Sequence, residues 1–524
     1  MRTRNCFSLL VVCACLVVLL LAYPANALSQ SPDKLRFDYS AQGGYQGDYI
    51  VVLNSRYPGG STLSTGFIGK LIETDIPAFE HGDHAAPDSN IYSSKQAGQD
   101  DPYTSMVGSA EDARWEIGSE WNFSLTGAGE VSPGGGLIAF KVLAAGTHCR
   151  IWTPLNPDYF PLDEIDPTYA QQAAKEFDAQ YPYIVKNFGD FLDTRGDGLV
   201  NILFYNIHLP EVSGFTNYYD LYTQVTIDGM LHQSNAAPMI HIDTFGVAGI
   251  VRVDAQGQRS QDIARCFPVM AHEFQHLIFE SKMYANPAYR AYWESEAEKG
   301  KFAGTIENNI WMTEFLSAAA GILRYPRMIR ESYVPFWYHH RANYQDICDH
   351  FSRHEEVLAN KHHMVQRGRG IFRWKGQKAD YSLMAFLAQF AFGRGGEEIF
   401  SKAWELWDGK RDELGFEKPV EAVASALGYT DFGSFHRDFV LALLFNDEIS
   451  EGGKYRLFVD LGDGDPGQTK EALSMLKPPL INGNEAKIER GGYVVFRPIG
   501  GVYVPPITAQ KGLTYIGVTV NNLD

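Results

Sequence analysis

The stretch Val269–Glu280, VMAHEFQHLIFE, constrains this chain more than any other. Met270, Phe274, Leu277 and Ile278 recur at helical spacing, so the pattern predicts a helix with an apolar stripe to bury. His272 and His276 then share one face a turn apart, where two imidazoles can converge on one ion. Glu273 lies about 100° around from His272 and can reach a water held there. These residue types at this spacing fit zinc-assisted hydrolysis. Imidazoles hold the metal, the metal acidifies water, and the carboxylate takes the proton and returns it to the leaving amine. The reading is zinc at His272 and His276, with Glu273 as general base. The bland alternative is a helix with two ordinary histidines.

A catalytic zinc site needs a third protein ligand. Glu296, in the charged run YWESEAEKG with Glu294 and Glu298, is twenty residues past His276. Glu314 sits in NNIWMTEFLSAAAG among Trp311, Phe315, Leu316 and Ala319. A carboxylate in so apolar a place is costly unless paired or metal-bound. That favours Glu314, with Glu296 and other residues left open.

The chain has 524 residues, 45% of them hydrophobic, which suits two or three globular domains. Its formal charge of −18 argues against nucleic acid as a partner. Residues 1–27 read as a secretory signal: Arg2 and Arg4, an apolar core from Phe7 to Ala22, and the small-residue site Ala25–Ala27. A retained anchor is the alternative. No second long apolar run follows, so the mature chain is expected to be exported without a stable membrane span. Cys149, Cys266 and Cys348 then remain, allowing one disulfide whose pairing the sequence leaves open.

Residues 28–150 look β-rich, with strands expected in DYIVVLN, WNFSLTG and GLIAFKVLAAG, and another in CRIWTP at the boundary. A polar stretch from Glu80 to Ser109, containing HGDH (His81–His84), reads as a loop and an obvious place for autoprocessing. From 151 to 450 the pattern changes to helix 166–192, with Asp166 and Pro167 as its start, strands at 199–207 and 238–244, the histidine helix, and further helices at 380–393 and 432–445. Residues 451–524 turn β-rich again. The fold expected is α+β and multidomain: a mixed sheet with its active helix, then a helical subdomain, flanked by β-rich ends.

AHEFQHLI followed by WMTEFLS resembles the hyicolysin and pallilysin-type bacterial metallopeptidases, within the broader gluzincins. The family pattern runs A-H-E-x-Q-H-x-I and then W-x-x-E-G-x-S. Ala271–Ile278 match the first part, and Trp311, Glu314 and Ser317 the second. DTRGDGLVNILFYNI and MIHIDT are also similar, so the resemblance spans about residues 149–447. It implies a zincin catalytic domain with ligands His272, His276 and Glu314, and Glu273 as base. Phe315 stands where the family usually has Gly, and Thr313 where Asn is usual.

Two further sites are expected. Asp193, Asp197 and Asn201, spaced around Gly196 and Gly198, could ligate calcium, although Arg195 replaces an expected ligand and a plain turn explains the same residues. Tyr381, or His339 and His340, could donate a hydrogen bond to a developing oxyanion. The function expected is a secreted zinc endopeptidase acting on extracellular proteins or peptides. The alternatives are an inactive zincin-fold surface adhesion or binding protein, and a zinc hydrolase of another bond.

Overall fold

The computed structural model describes residues 35–39, 45–55, 61–64, 115–125, 137–155, 165–207, 212–221, 224–227, 230–233, 235–244, 250–253, 259–285, 302–324, 370–372, 378–409, 419–445, 454–455, 485–496, 502–503 and 513–520. The expected signal segment, the HGDH loop, Glu294, Glu296, Glu298, His339, His340 and Cys348 lie outside them.

The fold is mixed α/β. Its main strands are β1 (Leu35–Asp38), β2 (Tyr49–Asn54), β3 (Glu120–Ser124), β4 (Leu137–Ala145), β5 (Cys149–Pro154), β6 (Val200–Tyr205), β7 (Gly214–Phe215), β8 (Met239–Asp243), β9 (Gly492–Phe496) and β10 (Leu513–Val520). Its helices are α1 (Pro167–Phe188), α2 (Phe267–Ala285), α3 (Phe302–Arg324), α4 (Lys378–Gly395), α5 (Glu398–Gly409), α6 (Pro419–Ala426) and α7 (Phe432–Phe445).

A six-stranded sheet has the order β3-β4-β5-β6-β8-β7. β5, β6 and β8 run parallel, while β3, β4 and β7 are antiparallel to their neighbours. The crossover from β5 to β6 is α1, as parallel pairing requires. α1 starts where Asp166 accepts a hydrogen bond from the Thr168 amide at 2.7 Å, with Pro167 in its first turn. Every residue of β6 and β8 is buried, the mark of strands covered on both faces. Ile151, Ile202, Phe204, Ile240 and Ile242 face a core shared with α1, α2 and α3. Trp152, Leu203, Tyr205 and Met239 face a second cluster with Trp115, Phe123 and Phe140.

A four-stranded sheet has the order β1-β10-β2-β9, all pairs antiparallel. It is built from the two ends of the described chain. Val51, Leu53, Tyr493, Val495, Ile516 and Val518 face the large helical core. Ile50, Val52, Val494 and Tyr515 face outward into a small cluster of their own. The β-rich ends therefore do not behave as one flank each. β3 and β4 join the central sheet, and the expected 150/151 boundary falls inside β5. Among the described residues no helix is long and apolar enough to cross a membrane.

Candidate metal centre

α2 lies against β8 on one side and α3 on the other. Met270, Phe274, Leu277 and Ile278 are all essentially buried, so the apolar stripe anchors the helix as its spacing predicts. The opposite side carries His272 and His276. α3 is held by Trp311, Phe315, Leu316 and Ala319, and it carries Glu314 to the same spot.

Ligand atoms of His272, His276 and Glu314 all lie within 4.8 Å of one another. The two Nε2 atoms are 3.0 Å apart. Glu314 Oε2 is 3.4 Å from Nε2 of His272 and 3.7 Å from that of His276. Ligands of a tetrahedral zinc ion at bond lengths near 2.0–2.1 Å sit about 3.3 Å apart. The three separations bracket that value. Glu314 Oε2 is buried, and its only close polar neighbours among the described residues are the two imidazoles, at 3.4 and 3.7 Å, so an ion between the three would satisfy it. Two imidazoles and one carboxylate are a donor set that suits a divalent metal ion, zinc among them. The residues present therefore fit such an ion.

The electrostatics agree. Burial pushes His276 well below the usual histidine range, and His272 adds to the push. Burial opposes charge on His272 too, but its bond to Glu314 and the nearby carboxylates outweigh that and raise its pKa. Burial pushes the Glu273 carboxyl up to about 7; Glu314 adds to this, while His272 and Thr216 oppose it.

Three contacts around the centre had no clear signal in the sequence. Thr216, one residue beyond β7, donates to the Glu273 carbonyl at 2.9 Å, and its hydroxyl lies 3.4 Å from Glu273 Oε2. β7 comes this close because Gly214 has no side chain: a Cβ there would lie 2.8 Å from Val269 Cγ1 and 3.0 Å from Glu273 Cγ. Behind β7, His241 stacks on Phe215 and bonds to Asp220 at 2.8 Å and to the Tyr205 hydroxyl at 3.0 Å. His276 Nδ1 lies 2.8 Å from Thr313 Oγ1, so threonine reaches the imidazole from the position where the resembling family usually has Asn.

Phe315 does not crowd the centre. It is fully buried and packs its ring on Trp311 and Phe400. Tyr381 falls in the first turn of α4.

Each of the expected calcium ligands has other partners in this structure. The Asp193 carboxylate accepts the amides of Arg195, Gly196 and Gly198. Asp197 pairs with Arg150 at 2.9 Å and Arg195 at 3.5 Å. Asn201 is buried in β6, where its oxygen accepts the Trp152 indole N–H and its amide donates to Pro238. Gly196 and Gly198 have positive φ, which makes the tight turn. The two guanidinium groups supply positive charge to this turn, and Arg195 also lies over the Trp115 ring at 3.5 Å. Cys149 and Cys266 are both buried and unbridged.

No protein-family model matches this chain, and a search of curated proteins finds no significant relative.

Proposed function

We propose that this chain is an exported zinc-dependent endopeptidase with a zincin-like catalytic fold. The observation that carries the reading is the convergence of His272, His276 and Glu314 from two helices beside the buried Glu273. The resemblance to the hyicolysin and pallilysin-type enzymes points the same way, and the apolar N-terminal segment supports export.

His272, His276 and Glu314 would hold the ion. Zinc bound there would acidify water and polarise a scissile carbonyl. Glu273 takes the proton of the attacking water and delivers it to the leaving amine. Thr216 ties the first turn beyond β7 to Glu273 and limits its swing. β7 is the outer strand of its sheet and runs beside Glu273, so an extended peptide can add to this edge with its backbone near the base. Tyr381 is the candidate donor to the developing oxyanion.

The test is casein cleavage by the purified chain, run beside Glu273→Gln at equal zinc content. Cleavage by the wild type, and a loss of at least about 100-fold in the variant, is expected. If neither protein cuts while both hold about one zinc per chain, the chain is latent, narrowly selective, or a binding protein that kept its metal.

A further inference from the structure

We infer that Gln275 is a positioning residue that sets which nitrogen of His276 faces the metal centre. The inference rests on the reading of His276 as a metal ligand. It gives a role to the one residue of HEFQH that this reading leaves idle.

Gln275 is buried, flanking the ligand face of α2 one turn after His272. Its Oε1 lies 2.5 Å from Ser317 Oγ on α3. That separation suits O–H···O and is too short for N–H···O. The amide oxygen, not its nitrogen, therefore faces Ser317, and the single hydroxyl hydrogen of Ser317 is donated to it. Ser317 Oγ also lies 3.1 Å from His276 Nδ1. With its hydrogen already placed, Ser317 offers His276 only lone pairs. A bare Nδ1 would face a Ser317 lone pair at 3.1 Å even where Thr313 donated to it, so the imidazole proton is favoured on Nδ1, where both hydroxyl oxygens accept it. Nε2 is left with its lone pair toward His272 and Glu314, the form a metal requires. Were the amide reversed, Ser317 would be free to donate to Nδ1. The proton would then move to Nε2 and block the centre. Ser317 is fully buried, so water does not substitute for Gln275.

Imidazole nitrogen NMR on the full-length chain, stripped of metal by a chelator, reads the tautomer directly. Wild-type His276 is expected to be protonated at Nδ1. Gln275→Met removes the acceptor at similar length. It is expected to raise the Nε2-protonated form and to weaken zinc binding about 10- to 100-fold, measured by competition with a chromophoric chelator. Gln275→Glu keeps an acceptor and is expected to hold the wild-type tautomer. Ser317→Ala approaches the relay from the other helix and should shift the tautomer as Gln275→Met does. An unchanged His276 tautomer in both Gln275→Met and Ser317→Ala overturns the inference. Because the tautomer is read without metal, a wild-type chain that shows Nδ1–H but binds no zinc sinks the peptidase reading and leaves this relay standing.

Discussion

β5, α1 and β6 follow one another along the chain and pair as they emerge, whereas β2 pairs with β9 and β10 from the far end of the protein. The two sheets also differ in what they hold. The six-stranded sheet supports a buried group of ionisable side chains, with His272, Glu273 and Glu314 all near or below a tenth exposed. The four-stranded sheet is apolar on both faces, and its buried ties are neutral: Asn54 to the Ile488 carbonyl, and Ser55 to His436 on α7. Burying ionisable groups costs free energy unless a partner compensates. On the proposed reading, the contrast means that the helix pair around the histidines gains part of its stability from a bound metal, while the sheet joining the ends does not.

The largest expected effect tests that dependence. Zinc at about a thousand times its dissociation constant should stabilise the chain by roughly 4 kcal/mol, read by chemical denaturation with and without chelator. Glu314→Gln should erase most of that difference. An equal response in wild type and variant would break the comparison at its first term. Next comes the other sheet. Ile50→Ala should cost about 3 kcal/mol, and by the same amount in metal-free and zinc-loaded protein, since Ile50 packs in a cluster separate from the core that holds α2 and α3. A cost that changes with zinc would mean the two regions are coupled.

The pH response sharpens the contrast further. Burial pushes His436 down to about 3, against about 6.5 when unfolded. The unfolded chain therefore takes up a proton that the folded chain refuses. Stability should fall as pH drops from about 6.5 toward 3, by up to about 1.4 kcal/mol per unit from this residue. His436→Gln should lose stability at pH 7.5 but show a flatter decline below 6.5. An unchanged slope in metal-free protein would remove His436 from the account. The smallest effect concerns the turn at Asp193. Calcium added to zinc-loaded protein should shift stability by less than about 0.5 kcal/mol, because Arg150 and Arg195 already pair Asp197. A larger shift would show that the turn rearranges around the ion.

The pieces of this fold were readable one at a time. Short-range patterns located β2, β5, β6, β8, α1 and α2 within a few residues, because burial imposes periods of 2 and 3.6 on the residues themselves. Which strands pair is a different matter. Nothing in the alternation of DYIVVLN names partners more than four hundred residues away, so the β-rich ends read as two flanks and not as one sheet. The histidines and Glu273 were legible because their chemistry fixes their spacing along one helix. Glu314 was favoured because its neighbours are apolar. Thr216 follows a two-residue strand with no pattern to betray it. The bond between Gln275 and Ser317 exists only once two helices have packed. For Asn201, spacing suggested a possible calcium ligand; in the fold its buried oxygen accepts the Trp152 indole N–H.

The pairing of β2 with β9 and β10 also sets an order of events. The Asn54 side chain bonds to a carbonyl 434 residues further on. During synthesis β2 has neither of its neighbours until almost the whole chain has been made. Closing so long a loop is slow, and contacts this distant in sequence form late. The N-terminal strand must wait as an open, apolar edge while the centre of the molecule folds behind it. The sheet that joins the two ends reaches its final shape only after its last strand arrives.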